Sequence, residues 1–175
     1  SLSFLDRVFN TESSEIYKTL TVAQDGSGDH KSIQEAISNT RDLGPGFVKI
    51  LIKEGVYNEK IEIPAWKRKI ALVGMPGDEV VLVNSDYSGK LDSLSNKKHN
   101  TFTSYTLKVE GQDFYAENLT IQNTWCEKGQ AVALHVAADR AIFKNCKILG
   151  CQDTVYTAGE GNRMLFDSCY IKGTT

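Results

Sequence analysis

The sequence lacks several features that would assign a function class directly. No apolar run approaches the roughly 18 residues of a membrane span, and Ser1–Leu5 is too short, with no basic residues before it, for a secretory signal. There is no Cys-x-x-Cys pair, no zinc-like His/Cys spacing and no Gly-x-Ser-x-Gly elbow of a serine hydrolase. The sequence therefore predicts no membrane partner, no metal or other cofactor, and a processed or engineered chain.

The charge balance also lacks an excess of one sign. Lys and Arg number 20 against 22 Asp and Glu, which gives a formal net charge of −2. Without a dominant basic field the chain is not expected to bind nucleic acid. The same balance fits a polyanionic substrate poorly unless basic residues cluster at the site.

Cysteine is sparse. The four residues are Cys126, Cys146, Cys151 and Cys169. Because unpaired cysteine is usually a small buried hydrophobe, buried free thiols are the favoured interpretation. Disulfide pairing is the alternative if the protein is exported.

Residues 1–18 are polar and are predicted to form an N-terminal extension, followed by one domain over 19–175. The only convincing helix is predicted over Lys31–Thr40, where Ser32 and Glu35 form a capping box. Its apolar face consists of Ile33, Ala36 and Ile37. We expect this helix to cover the open end of a sheet system.

Short β-type runs separated by turn residues follow the helix, and an internal repeat indicates how they are arranged. Three eight-residue segments align with offsets of 27 and 23 residues, and each has Asn or Ser in the middle. They are Phe114–Ile121, Ala141–Ile148 and Met164–Ile171. Such a repeat is typical of coils stacked in a parallel β-helix. The alignment makes Cys146 and Cys169 equivalent, so they are the pair expected to touch. Further strands are predicted at Thr19–Ala23, Phe47–Ile52, Lys60–Ile63, Ile70–Val73 and Val80–Val83.

The stretch that carries candidate chemistry is Gly-Cys-Gln-Asp-Thr-Val-Tyr at residues 150–156. In extended backbone Asp153 and Gln152 would point to opposite faces, so a turn or bulge is needed to bring them to one site. On its own a Gln-Asp pair is weak, because most surface aspartates are only solvated charges.

Five ordered motifs occur between about Leu20 and the last residue, namely Asp25–Asp29, Gly55–Glu59, Gln130–Leu134, Gln152–Asp153 and Tyr170–Thr174. Together they resemble the pectin methylesterase family. The resemblance implies a right-handed parallel β-helix, a secreted protein of the cell wall or periplasm, and methylesterified homogalacturonan (pectin) as substrate.

The resemblance also implies residue roles. Asp153 matches the general acid that protonates the leaving methanol and then activates water, a role that requires a carboxyl pKa raised by burial or by a second carboxylate. Gln130 and Gln152 match the amides that stabilise the oxyanion. Tyr156 matches a substrate-facing aromatic, although a core tyrosine is nearly as good an explanation. Tyr57 and Glu59 fit a structural turn better than a site.

Two further substrate contacts are suggested by position alone. Thr106 is a candidate groove residue from strand alternation. Trp125 is a candidate for contact with polysaccharide or for simple packing. His135 is interpreted as a scaffold or groove residue rather than a base.

One departure from the family pattern is serious. The family's nucleophilic aspartate lies in an Asp-Phe-Ile-Phe-Gly segment after Gly-Thr, and its orienting arginine lies later still; neither segment is present here. The sequence therefore predicts a carbohydrate esterase domain that is inactive as a 175-residue chain and that can associate with a missing C-terminal part.

Two other functions compete with the esterase. One is a non-catalytic β-helix that binds polysaccharide, against which Gln130, Gln152 and Asp153 argue. The other is a related ester or thioester hydrolase acting on a different acyl substrate. A calcium-dependent lyase would need clustered acidic ligands, which are not found near Asp153.

Overall fold

The chain winds into stacked coils, which the computed structural model describes for residues 16–85, 104–125, 131–151 and 153–173. The six-stranded sheet contains, in spatial order, β1 (Ile16–Val22), β2 (Phe47–Ile52), β5 (Ile70–Gly74), β8 (Tyr115–Glu117), β11 (Ala141–Lys144) and β14 (Met164–Asp167). The five-stranded sheet contains β3 (Gly55–Asn58), β6 (Val80–Asn84), β9 (Thr120–Asn123), β12 (Lys147–Leu149) and β15 (Tyr170–Lys172). The four-stranded sheet contains β4 (Ile61–Ile63), β7 (Leu107–Val109), β10 (Leu134–Val136) and β13 (Val155–Thr157).

Every strand pair in these three sheets is parallel, and each strand pairs with its equivalent one coil away. This topology is a parallel β-helix, as the repeat predicted. No helix in the described part of the chain is long and apolar enough to cross a membrane.

The core is built from columns of inward side chains. In one column Ile50 pairs with Leu72, then Ala116, then Phe143, and all four are fully buried. Phe143 continues the column by stacking on Phe166 with ring centroids 5.1 Å apart. Strands whose inward residues are Ile, Leu and Phe are thus fixed in register, because a one-residue slip would expose the whole column.

The middle residue of each repeat marks a turn between the six- and five-stranded sheets. Asn118, Asn145 and Ser168 all adopt positive φ, at 57°, 50° and 54°. Asn145 Nδ2 donates to Asn118 Oδ1 at 2.6 Å, so the turn side chains bond from coil to coil. The eight-residue segments predicted as repeats are therefore each two strands joined at this left-handed residue, which Asn tolerates better than most.

The helix α1 (Ile33–Ser38) is shorter than predicted but has the predicted cap and face. Ser32 Oγ accepts from Glu35 N at 3.2 Å, and Ile33, Ala36 and Ile37 are fully buried in the core cluster. The helix contacts β1, β2 and β4, so it covers the N-terminal end of the coil. Residues 16–18, assigned to the N-terminal extension from sequence, belong to β1.

Glu59 holds the start of the helix from a distant coil. Its Oε2 and Oε1 accept hydrogen bonds from Ile33 N and Gln34 N, each at 2.9 Å. These are donors that no residue inside the helix can satisfy. Tyr57 is buried and donates its hydroxyl to Lys53 O at 2.7 Å. Tyr57 and Glu59 are structural, as the sequence analysis favoured.

Glu59→Gln is expected to destabilise the fold by about 1.5–3 kcal/mol, because hydrogen bonds to a charged acceptor are lost and an amide NH₂ faces a backbone N–H. Urea unfolding gives the free energy of unfolding. Glu54→Gln, at an exposed position two residues after β2, is the matched control and should be nearly neutral. Equal unfolding midpoints for the two variants would show that the capping bonds do not stabilise the fold.

Ion pairs tie together the turns that enter the six-stranded sheet. Arg140 pairs with Asp113 one coil earlier, and Arg163 donates to Asp139 Oδ1 and Oδ2 at 3.1 and 2.9 Å. The hydrogen bonds from Arg163 hold the pKa of the Asp139 carboxyl below its ordinary value. Both pairs align successive coils, and the exposed Arg163–Asp139 pair is not expected to add much stability by itself.

Candidate active site

Thr106 and Asp153 lie just before strands of the four-stranded sheet, and Tyr156 lies within one of them. Thr154 O accepts from both Ala133 N and Leu134 N at 3.0 Å, and Ala133 O in turn accepts from Thr106 N at 3.2 Å. The segments that precede β7, β10 and β13 are thereby stacked on one another. A residue just before β13 therefore lies next to residues just before β10, although they are far apart in sequence.

Asp153 is exposed and projects from a turn. Its φ is 44°, in the left-handed region, so the chain bends there before β13. The next residue, Thr154, is buried, and its hydroxyl donates to Lys172 O at 3.3 Å. Gly150 N donates to the same carbonyl at 2.9 Å. The turn that the sequence analysis required at this position is thus present and anchored on both sides.

The two candidate oxyanion donors, Gln130 and Gln152, lie outside the described residues. Their convergence on Asp153 stays a prediction. The described residues 131–133, which follow Gln130 in the chain, lie on the coil next to that of Asp153, because Ala133 N donates to Thr154 O.

An aromatic row runs along the outer face of the four-stranded sheet next to Asp153. Tyr156 is half-buried and meets the His135 ring edge-on, with centroids 4.9 Å apart. His135 is buried and meets Tyr105 at 6.4 Å in the same manner. His135 is thus a packed part of this face, and Tyr156 keeps part of its ring accessible. A ring in that position can face a sugar, and its contact with substrate stays a prediction.

Thr106 and Trp125 are the two remaining candidates for contact with substrate. Thr106 is fully buried, and its hydroxyl donates to Gln122 O at 2.8 Å. Trp125 is half-buried, and its backbone N–H donates to Asn123 Oδ1 at 3.0 Å. Thr106 is therefore engaged in the scaffold as described, and the substrate contacts proposed for these two residues stay predictions.

The sequence analysis missed a basic group on the same face. Lys60 Nζ lies 4.7 Å from the centroid of the Tyr105 ring, and Lys108 Nζ lies 5.6 Å from it. Lys108 also pairs with Glu110 at 2.6 Å. Lys60 and Tyr105 come from different coils, so only the pairing of β4 with β7 could have revealed the cluster. Lys60 thus places a positive charge beside Tyr105 on this face, although the net charge of the chain is −2.

The cysteines differ from the expectation of uniform free thiols. Cys146 and Cys169 are free and in contact through a hydrogen bond, as the repeat alignment predicted. Cys151 is disulfide-bonded, so the free-thiol interpretation is wrong for that residue. Cys126 lies outside the described residues. Among the described residues no group of three His, Cys, Asp or Glu side chains is arranged to hold a metal ion.

Comparison with known families gives a consistent match. The pectinesterase family profile matches residues 19–175. Pectinesterase 31 of Arabidopsis thaliana is 37% identical over 161 residues, covering 90% of this chain and 50% of that protein. The chain thus spans about half the length of this relative and of the carrot pectinesterase, and less than a third of longer relatives that are also similar to it.

Solved structures agree in fold. The pectin methylesterase from carrot superposes with a TM-score of 0.77 and 34% identity, over 93% of this chain and 48% of that one. A pectin methylesterase in complex with a hexasaccharide superposes with a TM-score of 0.78 and 32% identity, over 88% of this chain and 49% of that one. The parallel β-helix is therefore shared with these enzymes over about half their length.

Proposed function

This chain belongs to the pectinesterase family, and from that premise we propose that it forms the acid/base and oxyanion half of a pectin methylesterase active site. The observation that supports this most is the exposed Asp153 on an anchored left-handed turn beside the half-buried Tyr156. A carboxylate held in this way can approach a bound ester.

The proposed chemistry uses two carboxylates. A nucleophilic carboxylate, absent from these 175 residues, attacks the methyl ester of a galacturonate unit. Protonated Asp153 transfers its proton to the departing methoxide as the tetrahedral intermediate collapses, and methanol leaves. The Asp153 carboxylate then removes a proton from water, which hydrolyses the acyl-enzyme and restores both carboxyl groups.

The developing oxyanion is proposed to receive hydrogen bonds from the amides of Gln130 and Gln152. An amide donates without carrying a charge that could titrate, which suits it to this task. Tyr156 is proposed to face a sugar ring and Trp125 to contact the polysaccharide, while the buried Thr106 supports the groove from within the scaffold. Because Asp153 is exposed in the described structure, we propose that the second half of the domain covers it.

The substrate is proposed to be methylesterified homogalacturonan, with action in the cell wall or the periplasm. The relative solved with a hexasaccharide supports a carbohydrate ligand. The positive charges of Lys60 and Lys108 are consistent with the anionic units that hydrolysis produces.

The 175-residue chain alone is expected to release no methanol from methylesterified homogalacturonan above the rate without protein, because the attacking carboxylate is missing. The same chain joined to the second half of the carrot pectin methylesterase domain is expected to release methanol. The measurement is methanol release, with far-UV circular dichroism confirming that both proteins are folded.

Two results would contradict the proposal. Release by the 175-residue chain at the rate of the intact carrot enzyme would show that its nucleophile lies within these residues. A joined protein that is folded and binds a homogalacturonan hexasaccharide but releases no methanol would remove the acid/base role from this half.

A further inference from the structure

Two free thiols lie side by side in neighbouring coils. Cys146 directly precedes β12 and Cys169 directly precedes β15, and these strands pair with Lys147 opposite Tyr170. Tyr170 N donates to Cys146 O at 2.9 Å, which locks the two positions together. The two cysteines are therefore equivalent positions of one column.

Their side chains point into the same part of the core. Cys146 is buried in the main core cluster, and Cys169 packs against that cluster. Cys169 Sγ lies 3.2 Å from Phe143 O, which belongs to the coil of Cys146. The Cys169 side chain is thus directed back toward its neighbour rather than away from the stack.

The spacing suits a covalent bond. Equivalent residues of paired strands lie about 4.8 Å apart, inside the range of about 4.4–6.8 Å between the Cα atoms of disulfide-bonded cysteines. The Cys146 thiol hydrogen-bonds the Cys169 sulfur, which lowers the pKa of Cys169. The same hydrogen bond, together with burial, raises the pKa of Cys146. Cys169, which is half-buried, is therefore the thiol that ionises first, and the thiolate is the reactive form.

We propose that Cys146 and Cys169 form an oxidation site at which a peroxide converts the stacked thiols into a disulfide between coils. The inference does not depend on esterase activity. It follows from the shared column, the direction of both side chains and their direct contact.

The reaction balances with hydrogen peroxide as the oxidant. The Cys169 thiolate attacks one peroxide oxygen, the O–O bond breaks, and a sulfenic acid forms while the released hydroxide takes up a proton as water. The Cys146 sulfur then attacks the Cys169 sulfur, its proton joins the leaving hydroxide, and a second water departs. Each sulfur has lost one electron, and the peroxide has gained two.

The bond would close a loop that contains the candidate active-site turn. Asp153 and the disulfide-bonded Cys151 both lie between Cys146 and Cys169 in the chain. Oxidation would thus link the two ends of the coil that presents Asp153. A disulfide stabilises a fold mainly by restricting the conformations of the unfolded chain.

The test uses the whole 175-residue chain. The folded protein is treated with one equivalent of hydrogen peroxide, unreacted thiols are alkylated under denaturing conditions, and the unreduced protein is digested for mass spectrometry. The expected result is complete loss of alkylation at Cys146 and Cys169, a mass decrease of two hydrogens, and a cross-linked peptide pair joining them.

Three outcomes would overturn the proposal: Cys146 still fully alkylated, Cys169 oxidised to sulfinic acid without a cross-link, or only a Cys169–Cys169 dimer. Cys146→Ala should instead leave a Cys169 sulfenic acid that dimedone traps, and Cys169→Ala should leave Cys146 alkylated after peroxide. If either variant fails to fold, the cross-linked peptide of the unchanged chain decides the question.

Discussion

Asp153→Asn is expected to lower kcat for methyl-ester hydrolysis by about 10²–10⁴-fold, the range that a general acid/base typically contributes. The assay uses the longest chain of the protein that turns over methylesterified homogalacturonan. The amide can neither donate the proton that methoxide needs nor accept one from water. KM is expected to change little, because the loss falls on the steps in which a proton moves.

The choice of asparagine follows from the backbone. Asp153 has a φ of 44°, a region that Asn tolerates and that Ala adopts at a cost, so Asp153→Ala would mix a folding defect with a chemical one. Asp167→Asn is the matched control, since the Asp167 carboxylate lies on β14 and accepts a hydrogen bond from the Ser168 hydroxyl at 3.1 Å. If Asp153→Asn and Asp167→Asn retain the same kcat, Asp153 has no acid/base role.

Phe143→Ala is expected to lower the free energy of unfolding by about 3–5 kcal/mol, the usual cost of removing a buried aromatic ring. Phe143 is fully buried on β11, tilted against Phe114 at 5.6 Å and stacked on Phe166 at 5.1 Å. Its removal leaves a cavity between two coils that the hydrogen-bonded strands cannot close. The measurement is the urea midpoint followed by far-UV circular dichroism.

Leu165→Ala is the matched control on the same sheet. Leu165 lies opposite Ile142 on the outer face and is 45% exposed, so little apolar area is lost and the change should stay near 0.5 kcal/mol or below. Equal midpoints for the two variants would mean that the Phe column is not what holds the coils together.

Much of the architecture could be predicted from local pattern. Phe47–Ile52 is a strand with the predicted bounds, and Ser32 caps the helix as the capping box indicated. The stacking of Cys146 on Cys169 followed from the repeat alone. The break inside each repeat did not, because Asn118 is compatible with a strand or with a left-handed turn, and only pairing with neighbouring coils selects the turn.

Candidate site residues could be predicted from the sequence only where they belong to a recognisable motif. The motif makes Asp153 a candidate, and side-chain alternation predicts a turn there, where the backbone has a φ of 44°. The grouping of Lys60 with Tyr105 depends on the pairing of β4 with β7 and leaves no local signal. The disulfide of Cys151 is only the alternative to free thiols in the sequence analysis, because cysteine spacing by itself does not determine which thiols meet in space.

The two kinds of connection between sheets differ in how much their length varies from coil to coil. Two residues link the six-stranded to the five-stranded sheet in three consecutive coils, at 118–119, 145–146 and 168–169. By contrast, the five-stranded sheet is joined to the four-stranded sheet by connections of very different length, at residues 59–60, 85–106, 124–133 and 150–154. Insertions and deletions at that corner leave every ladder in register, because each coil is fixed by its own strands. Evolution can therefore rebuild the corner that carries Asp153 without touching the scaffold, and a library that varies only those segments should yield folded proteins with altered substrate preference.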